Sequence, residues 1–191
     1  MKAVRFTLTC LILALSLVSV VRAQDRSDPL NDTEINQLRD TAQEPEKRLK
    51  LYVDFTRARL DAVNAAASNP KIKDPGDAIH QRLQNFLDLY DELNDNVDMY
   101  ADHRDDIRKI LKIILDADTE FQAKLRALKD SSTIPAAEAK QYEFVLSNAM
   151  DDVDSSVGDH RDLLSKQEEL AKAKRLIKPG QQQQQAQGRV H

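Results

Sequence analysis

The sequence predicts an all-α protein, an elongated antiparallel three-helix bundle of the coiled-coil-like type. Charged residues make up 31% of the chain and aromatic residues only 5%, with no Trp and four Gly. This composition favours long helices and disfavours sheet sandwiches and Gly-rich phosphate loops. Pro and Gly are confined to a few clusters that separate long segments. Within those segments, apolar residues recur in alternating steps of four and three, the spacing of a coiled-coil seam.

Residues 1–23 have the pattern of a secretory signal peptide. Two basic residues precede an apolar run of about 16 residues, shorter than the roughly 20 that a spanning helix needs. Ala23 occupies the −1 position of a cleavage site, so we expect Gln24 to be the first mature residue. An uncleaved segment that anchors the protein at a membrane surface is the alternative. We therefore expect export, to the periplasm or the extracellular space.

Cysteine content and charge exclude several classes of protein. Cys10 is the only cysteine and lies in the predicted signal, so the mature chain is expected to have no disulfide. The net charge is −4, and losing the basic signal residues makes the chain more acidic. Nonspecific nucleic-acid binding needs a basic patch, so we expect no nucleic-acid partner. No later segment is apolar enough for stable membrane insertion.

The helical bundle domain is predicted at residues 44–178, after a partly helical lead-in at 24–43. Asp32 is a reasonable cap for the lead-in. Pro45 suits the first turn of a helix, which we expect at about 45–68. The apolar seam of that helix is Leu49, Val53, Thr56, Leu60, Val63 and Ala67.

The second helix is predicted at about 77–129, because neither Pro nor Gly occurs between Gly76 and Ser131. Its seam runs in phase from Ile79 to Leu128, interrupted only by Arg104 and Asp118. Residues 94–106 are rich in Asp and Asn, which are poor helix formers. Because a loop has no reason to preserve the phase, we favour one continuous helix. The alternative is a compact four-helix bundle with a break near 94–106.

The third helix is predicted at about 135–177, since Pro135 suits a first helical position. Pro179-Gly180 is expected to end the ordered part. A Gln-rich tail at 179–191 has no apolar periodicity and is predicted to be disordered.

A repeated Asp-His-Arg-Asp stretch is the polar feature that most invites a functional interpretation. In an antiparallel hairpin the two copies would lie at one level, with Arg104 and His160 on seam positions. A buried Arg must be paired, so we interpret the copies as a structural polar layer that fixes the helix register. Simple solvated helix faces are the alternative. The layer would comprise Asp102, His103, Arg104, Asp105, Asp159, His160, Arg161 and Asp162.

A metal-binding or proton-binding site is the more specific alternative for the same region. Its candidates are His103, His160, Asp102 and Asp159, although an Asp directly before a His points to another helix face. The sequence has no motif for haem attachment, a zinc protease, a P-loop or a nucleophile elbow. We therefore predict no catalytic residue and no cofactor.

The expected function is that of an exported, non-enzymatic helical protein of the cell envelope. It would bind a protein partner as an interaction, scaffold or chaperone-like factor, or associate with itself. A metal-binding helical bundle and a membrane-surface protein are the alternatives.

Overall fold

A computed structural model of the protein describes residues 28–187, with side chains described as far as Arg175. The predicted signal peptide, its cleavage site and residues 188–191 of the predicted disordered tail lie outside this part of the chain. All regular elements of residues 28–187 are helices, so the all-α prediction is confirmed. The helices are α1 (Asp32–Asp40), α2 (Pro45–Ala67), α3 (Pro75–Asp102), α4 (Arg108–Lys129) and α5 (Ala136–Gln187).

The single helix predicted at 77–129 is wrong, because the chain reverses between Asp102 and Arg108. Arg104 adopts a left-handed backbone conformation with φ of 62°, and Asp105 N–H then donates to the Tyr100 carbonyl at 3.0 Å. Asp is a poor helix former within a helix, whereas acidic side chains just before a helix complement the positive end of its dipole. Asp105 and Asp106 lie just before the start of α4, so the Asp-rich stretch favours a helix boundary here. The alternating four-three spacing of apolar residues continues across the turn because α3 and α4 bury their seams in the same core.

Helices α2 to α5 form a bundle in which α2 and α5 each pack against both α3 and α4. Helices α3 and α4 lie across a diagonal. The packing of the helices is therefore that of the compact bundle with a break near 94–106, which was the alternative prediction. It is not that of the elongated three-helix bundle. The ion pairs Arg57–Glu120 and Lys124–Asp61 show that α2 runs parallel to α4.

Helices α3 and α5 are parallel to each other as well. Gly76 N–H donates to Glu138 at 3.0 Å, and Asn94 donates to Ser156 at 3.0 Å. Residue numbers rise together along both helices, which excludes the antiparallel hairpin that would have brought the two Asp-His-Arg-Asp stretches to one level.

Helix α1 packs on the outside of α2. Asn31 caps it through a capping box with Glu34, and Leu38 enters the core. Two arginines of α2 hold the two ends of α1. Arg48 donates to the Leu38 carbonyl at 2.6 Å, and Arg59 pairs with Glu34.

Helix α5 runs past the end of the bundle. Its Gln167 fastens the α3–α4 turn, donating to the Asp105 carbonyl at 3.0 Å and accepting from Ile107 N–H at 3.1 Å. Beyond that point, residues 168–187 add about 30 Å of helix. Helix α5 thus continues beyond its predicted end near 177, through Pro179 and Gly180. The Gln and Ala residues that follow are good helix formers, which favours this continuation.

Gly76 of α3 and Gly158 of α5 are expected to respond oppositely to alanine. A Cβ on Gly76 would lie 2.7 Å from the Glu138 carbonyl oxygen, whereas a Cβ on Gly158 meets nothing within 4 Å. Gly76→Ala should destabilise the fold by about 1–3 kcal/mol through overpacking. Gly158→Ala should stabilise it by about 0.5–1 kcal/mol, because Gly is a poor helix residue. Urea denaturation of both variants checks this, and a destabilised Gly158→Ala protein would contradict the placement of α5.

Candidate functional site

A buried carboxylate, Asp118, joins three helices at the centre of the bundle. Its Oδ1 accepts from the Tyr90 hydroxyl of α3 at 2.9 Å, and its Oδ2 lies 2.9 Å from Nδ1 of His160 on α5. Asp118 and Tyr90 are fully buried, and His160 is 4% exposed. A carboxylate buried in apolar surroundings requires such partners. Because a carboxylate oxygen accepts, His160 presents its Nδ1 proton to Asp118.

A second polar contact between α3 and α5 lies next to Tyr90 in the sequence of α3. One helical turn beyond Tyr90, Asn94 Nδ2 donates to Ser156 Oγ at 3.0 Å. Tyr90, Asp118 and His160 thus connect α3, α4 and α5 in one network, and the Asn94–Ser156 pair joins α3 to α5 beside it. Such a network favours one relative position of its three helices.

Aromatic rings surround the Tyr90 end of this network. Phe86 stacks on Tyr90 with ring centroids 5.8 Å apart, and Phe121 meets both rings edge-on. Burial raises the pKa of Tyr90 far above its ordinary value, and the nearby charge of Asp118 raises it further. Tyr90 therefore remains a neutral donor to Asp118 throughout the physiological range of pH.

An acidic cleft of about 440 Å³ lies between α3 and α5, beside this network. Asn94, Ser156 and His160 reach it from the buried side. Four carboxylates and one Lys complete its polar lining: Asp98, Asp102, Asp159, Asp162 and Lys166.

A second concavity, of about 610 Å³, lies where α5 passes the α3–α4 turn. We call it the turn groove. Ala101, Leu163, Leu170 and Ala171 give it an apolar wall, and Leu170 is 60% exposed. Cationic side chains dominate its rim over the acidic Asp105 and Asp106. These cations are Arg104, Arg108, Lys166, Lys174 and Arg175.

The predicted polar layer is not assembled as expected. Of its eight residues only His160 is buried; Asp105 is half-buried and the other six are exposed. Arg104 lies in the turn after α3, so it does not face the core as a continuous helix would require, and His103 lies next to it. The predicted layer therefore has no buried Arg, and His160 pairs with Asp118 instead.

The two histidines of the proposed metal site are not brought together either. His103 caps the exposed end of α3, while His160 is held inside the bundle by Asp118. Within residues 28–187, no group of three His, Cys, Asp or Glu side chains is placed to share a metal ion. The acidic cleft does bring Asp102 and Asp159 to one surface.

Sequence reasoning missed Asp118 and Tyr90 as members of the site. Asp118 was visible as a polar residue on an apolar seam, which is a signal for a buried, partnered carboxylate. Tyr90 carried no such signal, because a Tyr on a seam is an ordinary core residue.

All four tyrosines of the chain are expected to resist ionisation. Burial raises the pKa of Tyr52, Tyr90, Tyr100 and Tyr142 above the ordinary value. When burial raises the pKa of an acid, the folded state is stabilised at pH values below the pKa that the group has in the unfolded chain. This stabilisation is lost as the pH rises above about 10. In an alkaline titration, tyrosinate absorbance should therefore rise together with loss of helical circular dichroism. Gradual ionisation centred near pH 10 in a fully helical protein would contradict the burial of these side chains.

In the part of the chain that the structure describes, no helix combines the length and apolarity that a bilayer-crossing helix requires. The chain matches no protein family, no curated protein and no solved structure with which it was compared.

Proposed function

We propose that this protein is an exported, non-enzymatic binding protein of the cell envelope that holds an acidic amphipathic segment of a partner protein. The observation that carries this proposal is the turn groove, an apolar wall with a cationic rim at the end from which α5 projects. The protein acts there as an interaction or chaperone-like factor.

Charge complementarity selects the occupant of the turn groove. The protein as a whole is acidic, yet five cationic side chains line this one concavity against two acidic ones. Asp106 is already engaged by Arg108, whose Nη2 lies 2.6 Å from Asp106 Oδ2. Potentials of opposite sign speed association and suppress wrong partners, so the polar face of the partner is acidic.

The apolar wall requires an apolar stripe on the partner. An amphipathic helix lays its apolar face into a groove of this kind.

Site-specific photocrosslinking tests the proposal. A photoreactive residue replaces Leu170, which lines the turn groove, or Phe144, which is 77% exposed on the same helix and outside the groove. In cells that export the protein, position 170 should give a discrete crosslinked partner whose captured peptide is acidic and amphipathic. Position 144 should give far less. Equal crosslinking at both positions would contradict the proposal, and capture of a second copy would assign the groove to self-association.

A matched pair of charge reversals sharpens this experiment. Lys174 lines the turn groove, whereas Lys172 is an exposed lysine of the same helix that does not. Lys174→Glu should reduce the crosslink from position 170 about tenfold, the effect of about 1.4 kcal/mol. Lys172→Glu should leave it nearly unchanged. An equal loss with Lys172→Glu would indicate general charge attraction and contradict a defined groove.

The start of the mature chain tests export itself. Protein recovered outside the cytoplasm should begin at Gln24. Recovery only with residues 1–23 attached would instead favour a membrane-anchored protein.

A further inference from the structure

Helix α3 carries a row of acidic side chains on its exposed side, close to its C-terminal end. Glu92, Asp95, Met99 and Asp102 follow each other in steps of three, four and three, so they lie along one face of the helix. All four are exposed, and Met99 is a large apolar side chain with 39% exposure. We call these four residues the acidic stripe. An acidic helix face that includes an apolar residue is the chemistry that the turn groove selects.

The charge of the acidic stripe is not balanced within the protein. In the part of the chain that the structure describes, no ion pair involves Glu92, Asp95 or Asp102. Like charges three and four residues apart on a helix repel each other, and acidic side chains near the C-terminal end of a helix oppose its dipole. The acidic stripe is therefore a surface that cations from outside the bundle stabilise. Residues 88–102 contain no basic residue and six acidic ones, namely Asp88, Asp91, Glu92, Asp95, Asp98 and Asp102.

The turn groove has the opposite imbalance of charge at the same end of the bundle. Lys166 and Lys174 line the groove, and neither takes part in an ion pair among the described residues. Arg104, which also lines the groove, lies two residues after Asp102, the last member of the acidic stripe. The groove and the stripe are therefore neighbouring surfaces of opposite charge.

We propose that the turn groove receives the acidic stripe of a second copy of this chain, so that two copies form a symmetric dimer. The inference rests on the proposed function, whose partner it names. Because the groove and the stripe are neighbours, a two-fold rotation can place the groove of each copy on the stripe of the other, and the assembly closes at two copies. In the dimer, Leu170 of the apolar wall contacts Met99, and the cations of the groove contact the carboxylates of the stripe.

Sedimentation equilibrium of the protein recovered after export tests the dimer. At physiological ionic strength the mass should rise from one chain to two as the protein concentration increases, and it should fall again when added salt screens the exposed charges. Lys174→Glu reverses one charge of the groove, and Asp95→Lys reverses one charge of the stripe. Each change should weaken dimerisation at least about tenfold. Both positions are exposed, so circular dichroism should show that both variants remain folded.

Matched charge reversals outside the contact are the controls. Lys172 is exposed on α5 but does not line the turn groove, and Asp151 is exposed on α5 and belongs to neither surface. Lys172→Glu and Asp151→Lys should each change the dissociation constant of the dimer by less than about twofold, because exposed charges away from the contact are screened.

A mixture of the two weakened variants provides the decisive measurement. When a Lys174→Glu copy pairs with an Asp95→Lys copy, one groove–stripe contact carries the exchanged charges and the other contact is unaltered. The mixture should therefore form heterodimers with nearly the affinity of the original protein, whereas each variant alone stays weak. Such a recovery requires the groove of one copy to meet the stripe of another.

Three results would overturn this inference. They are a single-chain mass at every concentration up to about 1 mM, a dimer that Lys174→Glu and Asp95→Lys weaken no more than the controls do, and a mixture that shows no recovery. If the protein is monomeric while position 170 crosslinks an acidic segment of a different protein, this inference fails and the proposed function stands. Absence of any crosslink at position 170 contradicts the proposed function itself, so the two failures are distinguishable.

Discussion

Replacing Asp118 with Ala is expected to destabilise the protein by about 3–5 kcal/mol, the usual effect of breaking a buried hydrogen-bonded pair from one side. The variant leaves the Tyr90 hydroxyl and the His160 Nδ1 proton buried without acceptors. Neither group reaches bulk water, since Tyr90 is fully buried and His160 nearly so. Each unsatisfied group then retains its full desolvation penalty. Urea denaturation followed by circular dichroism measures the loss.

Asp116 provides the matched control for this prediction. It lies two residues away on α4 but on the exposed side of the helix, so Asp116→Ala should change stability by less than about 0.5 kcal/mol. A triple change of Tyr90→Phe, Asp118→Leu and His160→Leu should recover most of the lost stability, because an apolar replacement leaves nothing unpaired. If Asp118→Ala proves as mild as Asp116→Ala, Asp118 is not the buried junction described here.

Phe121→Ala is expected to cost about 3–5 kcal/mol, the range for truncating a large buried aromatic side chain. Phe121 is fully buried on α4 and contacts the rings of Phe86 and Tyr90 at 5.5 and 6.1 Å between centroids. Its loss opens a cavity at the point where α3 and α4 meet across the bundle diagonal. Neighbouring helices cannot close such a cavity fully, because packing of the remaining side chains resists collapse.

Phe144 is the control, since it is the same residue type at 77% exposure on α5. Phe144→Ala should be nearly neutral under the same denaturation conditions. Similar losses for the two variants would mean that the chain does not place Phe121 between α3 and α4.

The helical ends could be predicted best where a single residue type determines them. Pro45 fits the first turn of α2, and the predicted 45–68 agrees with Pro45–Ala67. The turn after α3 could not be predicted from apolar phase, because two helices that enter one core from opposite directions preserve that phase as well as one helix does. The Asp-rich stretch and the left-handed backbone of Arg104 determine where the chain reverses. Neither feature is visible in the spacing of apolar residues.

The candidate site was partly visible in the sequence. His160 on an apolar seam predicted a buried polar group, and the structure places it in the core. Its partner was expected in the other Asp-His-Arg-Asp stretch, but Asp118 takes that position because α4, not an extended α3, runs antiparallel to α5. A partner across helices depends on topology, which residue spacing within one segment does not determine.

The reversal of the chain between α3 and α4 is the central claim, and a distance between spin labels tests it most directly. Labels on Gln81→Cys and Lys129→Cys occupy exposed positions near the start of α3 and the end of α4. Electron double-resonance should give less than about 35 Å, because diagonal helices of a bundle lie within about 15 Å of each other. One continuous helix would separate the same labels by about 70 Å, and that distance would contradict the fold, the Asp118 junction and both binding surfaces together.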